Sequence, residues 1–185
     1  MRRDLVTSLR AIVLLTVLLG LAYPLAVTAA SQIAFPGRAD GSARLIGRDY
    51  KQDPRSFQSR PSTATDYNAA ASAFTNLGPN SKDARDAFSE SLAAYLKLER
   101  PYDRGLTAAD VPVDAVTSSA SGIDPHISPA NAAIQAHRVA AVRRLPMARV
   151  KRLIADNTDG RSLGLLGEPG VNVRELNQAL DRVRR

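Results

Sequence analysis

The side chains that could do chemistry are few. The histidines are His126, in the turn Asp124-Pro125-His126, and His137, on a helical stretch, and the chain has no cysteine. Two imidazoles without thiolates do not readily build a transition-metal site. The lack of thiols also removes disulfides and thiol nucleophiles. No Gly-Lys pair occurs, so there is no Walker-type phosphate loop, and Gly-x-Gly-x-x-Gly and Ser-x-x-Lys are absent too. Both histidines therefore read as surface or hydrogen-bonded structural groups. Most carboxylates stand singly beside arginines, which favours solvated ion pairs over acid–base work. The basic run Arg143, Arg144, Arg149, Lys151, Arg152 fits a solvated helix face better than a polyanion site. These residues point to a binding or assembly module, with no resident metal or cofactor.

Helices must position what chemistry there is. Ser81 is placed to cap a helix over about Lys82–Leu98, with Ala84, Phe88, Leu92, Tyr95 and Leu96 at helical spacing and Pro101 closing it. Ser128-Pro129 combines an N-cap with proline at the first helical position. That helix should run to about Leu145, where Pro146 interrupts, and a second piece should cover Met147–Asp156. Asn172 with Glu175 makes a capping-box-like start for a last helix carrying Leu176, Ala179, Leu180 and Val183 on one face. Residues 36–81 read as loop, with Leu45-Ile46 a short strand candidate among Pro54, Pro61, Gly78 and Pro79. The stretch Val116–Gly122 is too polar for core. The expected class is α+β, mostly α.

The N-terminal segment differs from the rest. No charge occurs from Ala11 to Gly37, and Ala11–Ala30 includes Ile12, Val13, Leu14, Leu15, Val17, Leu18, Leu19, Leu21, Leu25 and Val27. Twenty helical residues rise about 30 Å, the thickness of a bilayer's hydrocarbon core. Tyr23 and Pro24 fall within the span, where neighbouring helices can satisfy the carbonyl that a proline frees. A cleaved signal peptide is the competing reading, with Val27-Thr28-Ala29 as a small-residue cleavage site. Arg2, Arg3 and Arg10 precede the span, and Arg38 and Arg44 follow it, so the positive-inside rule leans towards a cytoplasmic N-terminus. The expected organisation is a cytoplasmic tail (1–10), a transmembrane helix (11–30) and one extracytoplasmic soluble domain (31–185). Residues 135–185 hold eleven Arg/Lys against five Asp/Glu, within a formal net charge of +7. A domain outside the cytoplasm argues against nucleic acid as the partner of that charge.

Four segments, in order, resemble the C subunit of the Kdp-type potassium-transporting ATPase, a bacterial high-affinity potassium importer. They are Tyr23-Pro24-Leu25; Phe57–Ser62 (with Arg60, Pro61 and Ser62), continuing through Tyr67-Asn68 and Thr75–Asn80 with Asn76; Val116–Pro129, with Asp124 and His126, continuing through Gln135 and Arg138; and Leu163–Pro169, with Glu168, continuing through Asn172 and Asn177. Arg48, Phe74, Arg174 and Gln178 depart from the usual pattern, and the linker after the anchor is short.

The resemblance implies a non-catalytic accessory subunit, held in the bacterial inner membrane by an uncleaved anchor. Its partners would be a channel-like potassium-binding subunit, an ATP-hydrolysing subunit and the lipid bilayer. The residues just named would be interface or structural positions. The family is also described as a catalytic chaperone that raises ATP affinity, with Gln135 as nucleotide contact and ATP reached through the complex. With the N-terminus inside, Gln135 would lie across the membrane from cytoplasmic ATP, and the physical reading of that position is helix packing or a buried amide hydrogen-bonded to loop backbone. An unrelated periplasmic binding module is the alternative function.

Overall fold

Helix ends in the computed structural model fall where the sequence supplies caps. The structure describes residues 2–35, 45–63 and 67–183, so Gly37, Arg38 and Arg44 of the charge argument lie outside the described residues. The chain divides into two units, Met1–Ala43 and Arg44–Arg185.

The first unit is a 33-residue helical rod, Arg2–Ala34, long and apolar enough to cross a membrane. It extends beyond the Ala11–Ala30 window at both ends. Its segments are α1 (Arg2–Val17), a π-helical turn (Leu18–Ala22) and α2 (Tyr23–Ala34). The π turn sits one residue before Pro24. Proline has no N–H for the carbonyl four residues back, and its ring crowds that carbonyl. A wider turn, in which the Tyr23 N–H donates to Leu18 O, makes room for the ring within the helix itself.

In the second unit, α3 runs Lys82–Glu99, and Ser81 Oγ accepts the Ala84 N–H at 3.3 Å. Helix α4 covers Pro129–Arg143, capped by Ser128, and stops at Arg144, whose φ of 56° is left-handed. It is a residue or two shorter than expected because the turn is made before Pro146. Helix α5 covers Met147–Asp156 and α6 covers Val173–Arg182, where Asn172 Oδ1 accepts the Glu175 N–H at 3.1 Å.

Three very short strands form an antiparallel sheet in the order β1-β3-β2: β1 His126–Ile127, β2 Thr158–Asp159 and β3 Gly170–Asn172. His126 thus opens a strand instead of sitting in a turn. Leu45 and Ile46 form no strand. Instead the Gly47 N–H donates to Ile123 O at 2.7 Å, and a Cβ on Gly47 would stand 2.6 Å from the Tyr67 ring and 2.8 Å from Asp124 O. That close approach of backbone to ring and carbonyl is open only to glycine.

The main core gathers Phe57, Ile127, Val139, Val150, Val171, Val173, Leu176 and Leu180 around Ala132, Ala136 and Ala140 of α4. Alanines at every fourth position let neighbours approach that helix closely. Burying a side chain such as Leu176 stabilises the fold by about 1.5–3 kcal/mol. A smaller cluster, Tyr95, Leu96, Leu106 and Ala115, lies against α3. The other half of α3 is open to solvent, and Phe88 is 43% exposed.

Candidate functional site

Helix α4 carries a polar stripe on an otherwise apolar face. Asn131, Gln135 and Arg138 follow at spacings of four and three, which aligns them on one side of a helix, and all three are at most 1% exposed. Buried polar groups need partners, and these find them in each other and in the chain segment that crosses the helix.

Gln135 uses its whole amide. Its Oε1 accepts the Gln58 N–H at 2.6 Å and Arg138 Nη2 at 3.1 Å. Its Nε2 donates to Gln58 O at 3.2 Å and Asn131 Oδ1 at 2.9 Å. On the neighbouring residue, Asn177 of α6 does the same for Phe57, accepting its N–H at 2.8 Å and donating to its carbonyl at 2.9 Å. Successive residues of an extended chain point their backbone groups to opposite sides. Phe57-Gln58 is therefore held like a central strand whose two neighbours are side-chain amides.

Arg138 continues the stripe. Its Nη1 donates to Pro54 O at 2.7 Å and Ser56 O at 2.8 Å, and its Nε donates to Glu99 Oε1 at 2.9 Å. Glu99, at the end of α3, is 1% exposed, and burial pushes its carboxyl above the usual range against the pull of Arg138. Its Oε2 is buried with no hydrogen-bond partner. At the other end, Asn131 Oδ1 accepts the Tyr95 hydroxyl at 2.9 Å and Asn131 Nδ2 donates to Asp114 Oδ2 at 3.0 Å. Asp114 also takes the Ser128 N–H and hydroxyl at 2.8 and 2.7 Å. Burial raises the Tyr95 hydroxyl far above its ordinary value.

A second cluster joins the crossing segment to the sheet. Arg60 Nε and Nη2 donate to Thr117 O and Ser118 O at 3.2 and 3.0 Å, and Arg60 Nη1 lies 3.8 Å from Asp124 Oδ2. Ser62 Oγ donates to Gly122 O, and the Tyr67 hydroxyl donates to Arg60 O. Burial raises that hydroxyl to about 12. The polar stretch Val116–Gly122 is therefore partly interior, with Ser119 only 6% exposed, because arginine and serine side chains satisfy its carbonyls. His126 stands between carboxylates, Nδ1 3.2 Å from Asp124 and Nε2 3.1 Å from Asp159. The Asp124 hydrogen bond, followed by that to Asp159, raises the imidazole above its usual value against a smaller opposing effect of burial. Burial alone would raise Asp124, but hydrogen bonds from the His126 ring and N–H hold it below the carboxylate range. The ring crosses Gly170 of β3, where a Cβ would come within 3.2 Å of the histidine side chain.

The expected residues thus fall into groups. Gln135, Arg138 and Asn177 surround the crossing segment, and Arg60, Pro61, Ser62, Asp124 and His126 belong to or adjoin the second cluster. Asn172 is buried as the α6 cap. Tyr23 and Pro24 lie on the helical rod, Asn76 is exposed in a loop at φ 53°, and Glu168 is exposed on the β2–β3 hairpin. The sequence reading missed Glu99, Asn131, Asp114, Gln58 and Asp159. The polar spacing Asn131–Gln135–Arg138 was the signal available. It also passed over Gly160-Arg161-Ser162-Leu163-Gly164, which has the letters of a nucleophile elbow. That motif needs a strand–turn–helix setting, whereas Ser162 lies in a hairpin with its N–H bonded to Leu166 O at 2.8 Å. The default of solvated carboxylates fails at Glu99. His137 is exposed, as are Arg144, Arg149, Lys151 and Arg152, whereas Arg143 bonds to Arg55 O and Asp181. Among the described residues no group of three or more His, Cys, Asp or Glu is placed to hold a metal ion.

A membrane-helix protein bearing a small α+β domain with a buried polar stripe is the class these features define. The family model for "KdpC: K+-transporting ATPase, c chain" matches residues 5–182, and the chain belongs to that family. It is 48% identical to the potassium-transporting ATPase KdpC subunit of Polaromonas naphthalenivorans, over 92% of this chain and 90% of that one. The KdpC subunit of Bradyrhizobium diazoefficiens is 43% identical, over 98% of both chains. That of Mycobacterium tuberculosis H37Rv is 44% identical, over 99% of this chain and all of the relative.

Proposed function

We propose that this chain is a non-catalytic accessory subunit that stabilises assembly of a potassium-importing ATPase. In this reading residues 1–10 are a cytoplasmic tail, 11–30 span the inner membrane and 31–185 lie outside. The rod packs against a channel-like potassium-binding subunit and an ATP-hydrolysing subunit, and the outer domain docks on them. Family membership supports the complex, and the apolar rod supports a membrane location.

The observation that carries the accessory reading is the Gln135 amide. Two acceptor and two donor contacts, at 2.6–3.2 Å, occupy it inside the domain at 1% exposure. An amide engaged in this way has no group left for a nucleotide, and its removal would loosen the crossing segment. Gln135→Ala should therefore destabilise the outer domain by about 1–3 kcal/mol, the range for leaving buried polar partners unsatisfied. The apparent KM for ATP should stay unchanged in complexes matched for subunit content. ATPase activity measured against ATP concentration, beside a thermal melt, tests this. A several-fold rise in KM with a normal melt would instead make Gln135 a nucleotide contact and the subunit a catalytic chaperone.

A further inference from the structure

The β2–β3 hairpin presents its apolar residues outward. Leu163, Leu165 and Leu166 are 90%, 81% and 63% exposed, and all lie within one turn. The turn is firmly built. Ser162 and Leu166 exchange both backbone hydrogen bonds, at 2.8 and 2.9 Å, and the Gly164 N–H donates to Arg161 O at 3.1 Å. Below the tip, Arg161 Nη2 donates to both oxygens of Glu168, at 2.9 and 2.8 Å. Leu163 has a φ of 55°, followed by Gly164 at 75° and, three residues on, Gly167 at 82°. Left-handed backbone is disfavoured for a residue with a Cβ, and glycine or asparagine is the usual occupant. Here a leucine is held in that conformation where its side chain packs on almost nothing.

We infer that this leucine tip is an anchor that inserts into an uncharged apolar pocket on another subunit of the ATPase. The inference rests on the subunit reading given above and names the element that makes the contact. Exposed apolar clusters of this kind mark interaction sites. The nature of the occupant follows from the collar. Loops that dip into a bilayer carry Trp or Tyr and free cations for the headgroups. Residues 160–169 contain neither aromatic, and their single cation, Arg161, is neutralised by Glu168. A neutral, rigid, leucine-tipped hairpin suits a shaped protein pocket instead. Three side chains fall short of the about 800 Å² per partner of a standard interface, so the tip is the anchored centre of a wider contact.

The test uses the full chain, tagged and purified from membranes with its complex. The triple variant Leu163→Ser, Leu165→Ser, Leu166→Ser should lower the ratio of co-purifying ATPase subunits to tagged chain at least fivefold. The chain's own thermal midpoint should change little, because these side chains are mostly exposed. Leu163→Gly separates the two roles. It relieves the left-handed strain, so the midpoint should hold or rise while subunit recovery falls. Recovery at the wild-type ratio in the triple variant would overturn the inference, and so would a midpoint lowered by several degrees. Leu165→Cys, the only thiol in the chain, reports on the occupant. A fluorophore there that brominated lipid quenches in the assembled complex would assign the tip to the bilayer and overturn the protein pocket. If even the wild-type chain brings down no ATPase subunit, the subunit reading fails with it, and that result is distinguishable from a loss confined to the variants.

Discussion

Arg138 has the most demanding environment in the domain. A fully buried guanidinium holds two backbone carbonyls, a glutamine and a carboxylate on three different chain segments. Removing one partner of a buried ion pair leaves the other charge uncompensated, typically at a cost of 3–5 kcal/mol. Arg138→Met should lower stability by about that much in denaturant unfolding of the full chain in detergent, and Glu99→Met added to it should recover part of the loss. A single-variant loss below about 1 kcal/mol would mean that water already reaches the pair. His126 gives the second prediction at this scale. Its folded pKa is raised, so its contribution is fully present below the unfolded value of about 6.5 and is lost as pH rises through the folded value. Asp124, held low, contributes above about 3.9, and its contribution is lost as pH falls through its folded value. Wild type should therefore lose stability above pH 6.5 more steeply than His126→Gln. Parallel stability-against-pH curves for the two across that range would rule out a stabilising contribution from His126 charged between Asp124 and Asp159. Arg138 and His126 were legible as positions of interest, together with Gln135 and Asp124 beside them, but Glu99 and Asp159 were not. Glu99 sits next to Arg100 and so looked solvated, and Asp159 lies on a strand too short to announce itself.

At the scale of elements, legibility tracks capping. Ser81, Ser128 with Pro129, and Asn172 with Glu175 mark helix starts by local hydrogen bonding, and α3, α4 and α6 begin where those residues say. Strands of two or three residues are shorter than any alternation pattern can reveal. The crossing segment was hidden for another reason. Phe57-Gln58 is extended, but its hydrogen bonds go to Gln135 and Asn177 in place of neighbouring strands, so no pairing partner exists in the sequence to find. Its stability depends on helices distant in the chain, which makes a direct prediction. Asn177→Ala removes both bonds to the Phe57 backbone and should cost about 1–3 kcal/mol. Amide hydrogen exchange over residues 56–58 should accelerate markedly, while α5 keeps its protection relative to the global stability. Unchanged exchange at Phe57 would show that core packing alone holds the segment.

For the whole molecule the open physical question is sidedness. The rod supplies the apolar length for one crossing, but its flanking charges bias orientation only slightly, with Arg2, Arg3 and Arg10 on one side and Arg38 and Arg44 on the other. Asp4 contributes little under that rule. The absence of cysteine makes a single introduced thiol a clean reporter, provided the site is open. Ser119, in the polar stretch that looked external, is a poor choice, since it is 6% exposed and its Oγ accepts the Asp124 N–H at 3.4 Å. Gly105 is the better position, since it lies outside the leucine-tipped hairpin. It is exposed, a Cβ there meets only Asp103 Oδ1 at 3.6 Å, and its backbone is not left-handed. With the N-terminus inside, Gly105→Cys should react with a membrane-impermeant maleimide in cells whose outer membrane alone has been permeabilised. Arg3→Cys, in a separate variant, should react only after the inner membrane is opened. The reverse pattern would place the domain in the cytoplasm. It would also remove the bilayer that stands between Gln135 and ATP, leaving only the fully bonded amide to argue against a nucleotide contact. Labelling of both sites before lysis of the inner membrane would point instead to an uninserted rod, whereas a mature chain that never labels at position 3 would point to a cleaved one, which a mass measurement would resolve.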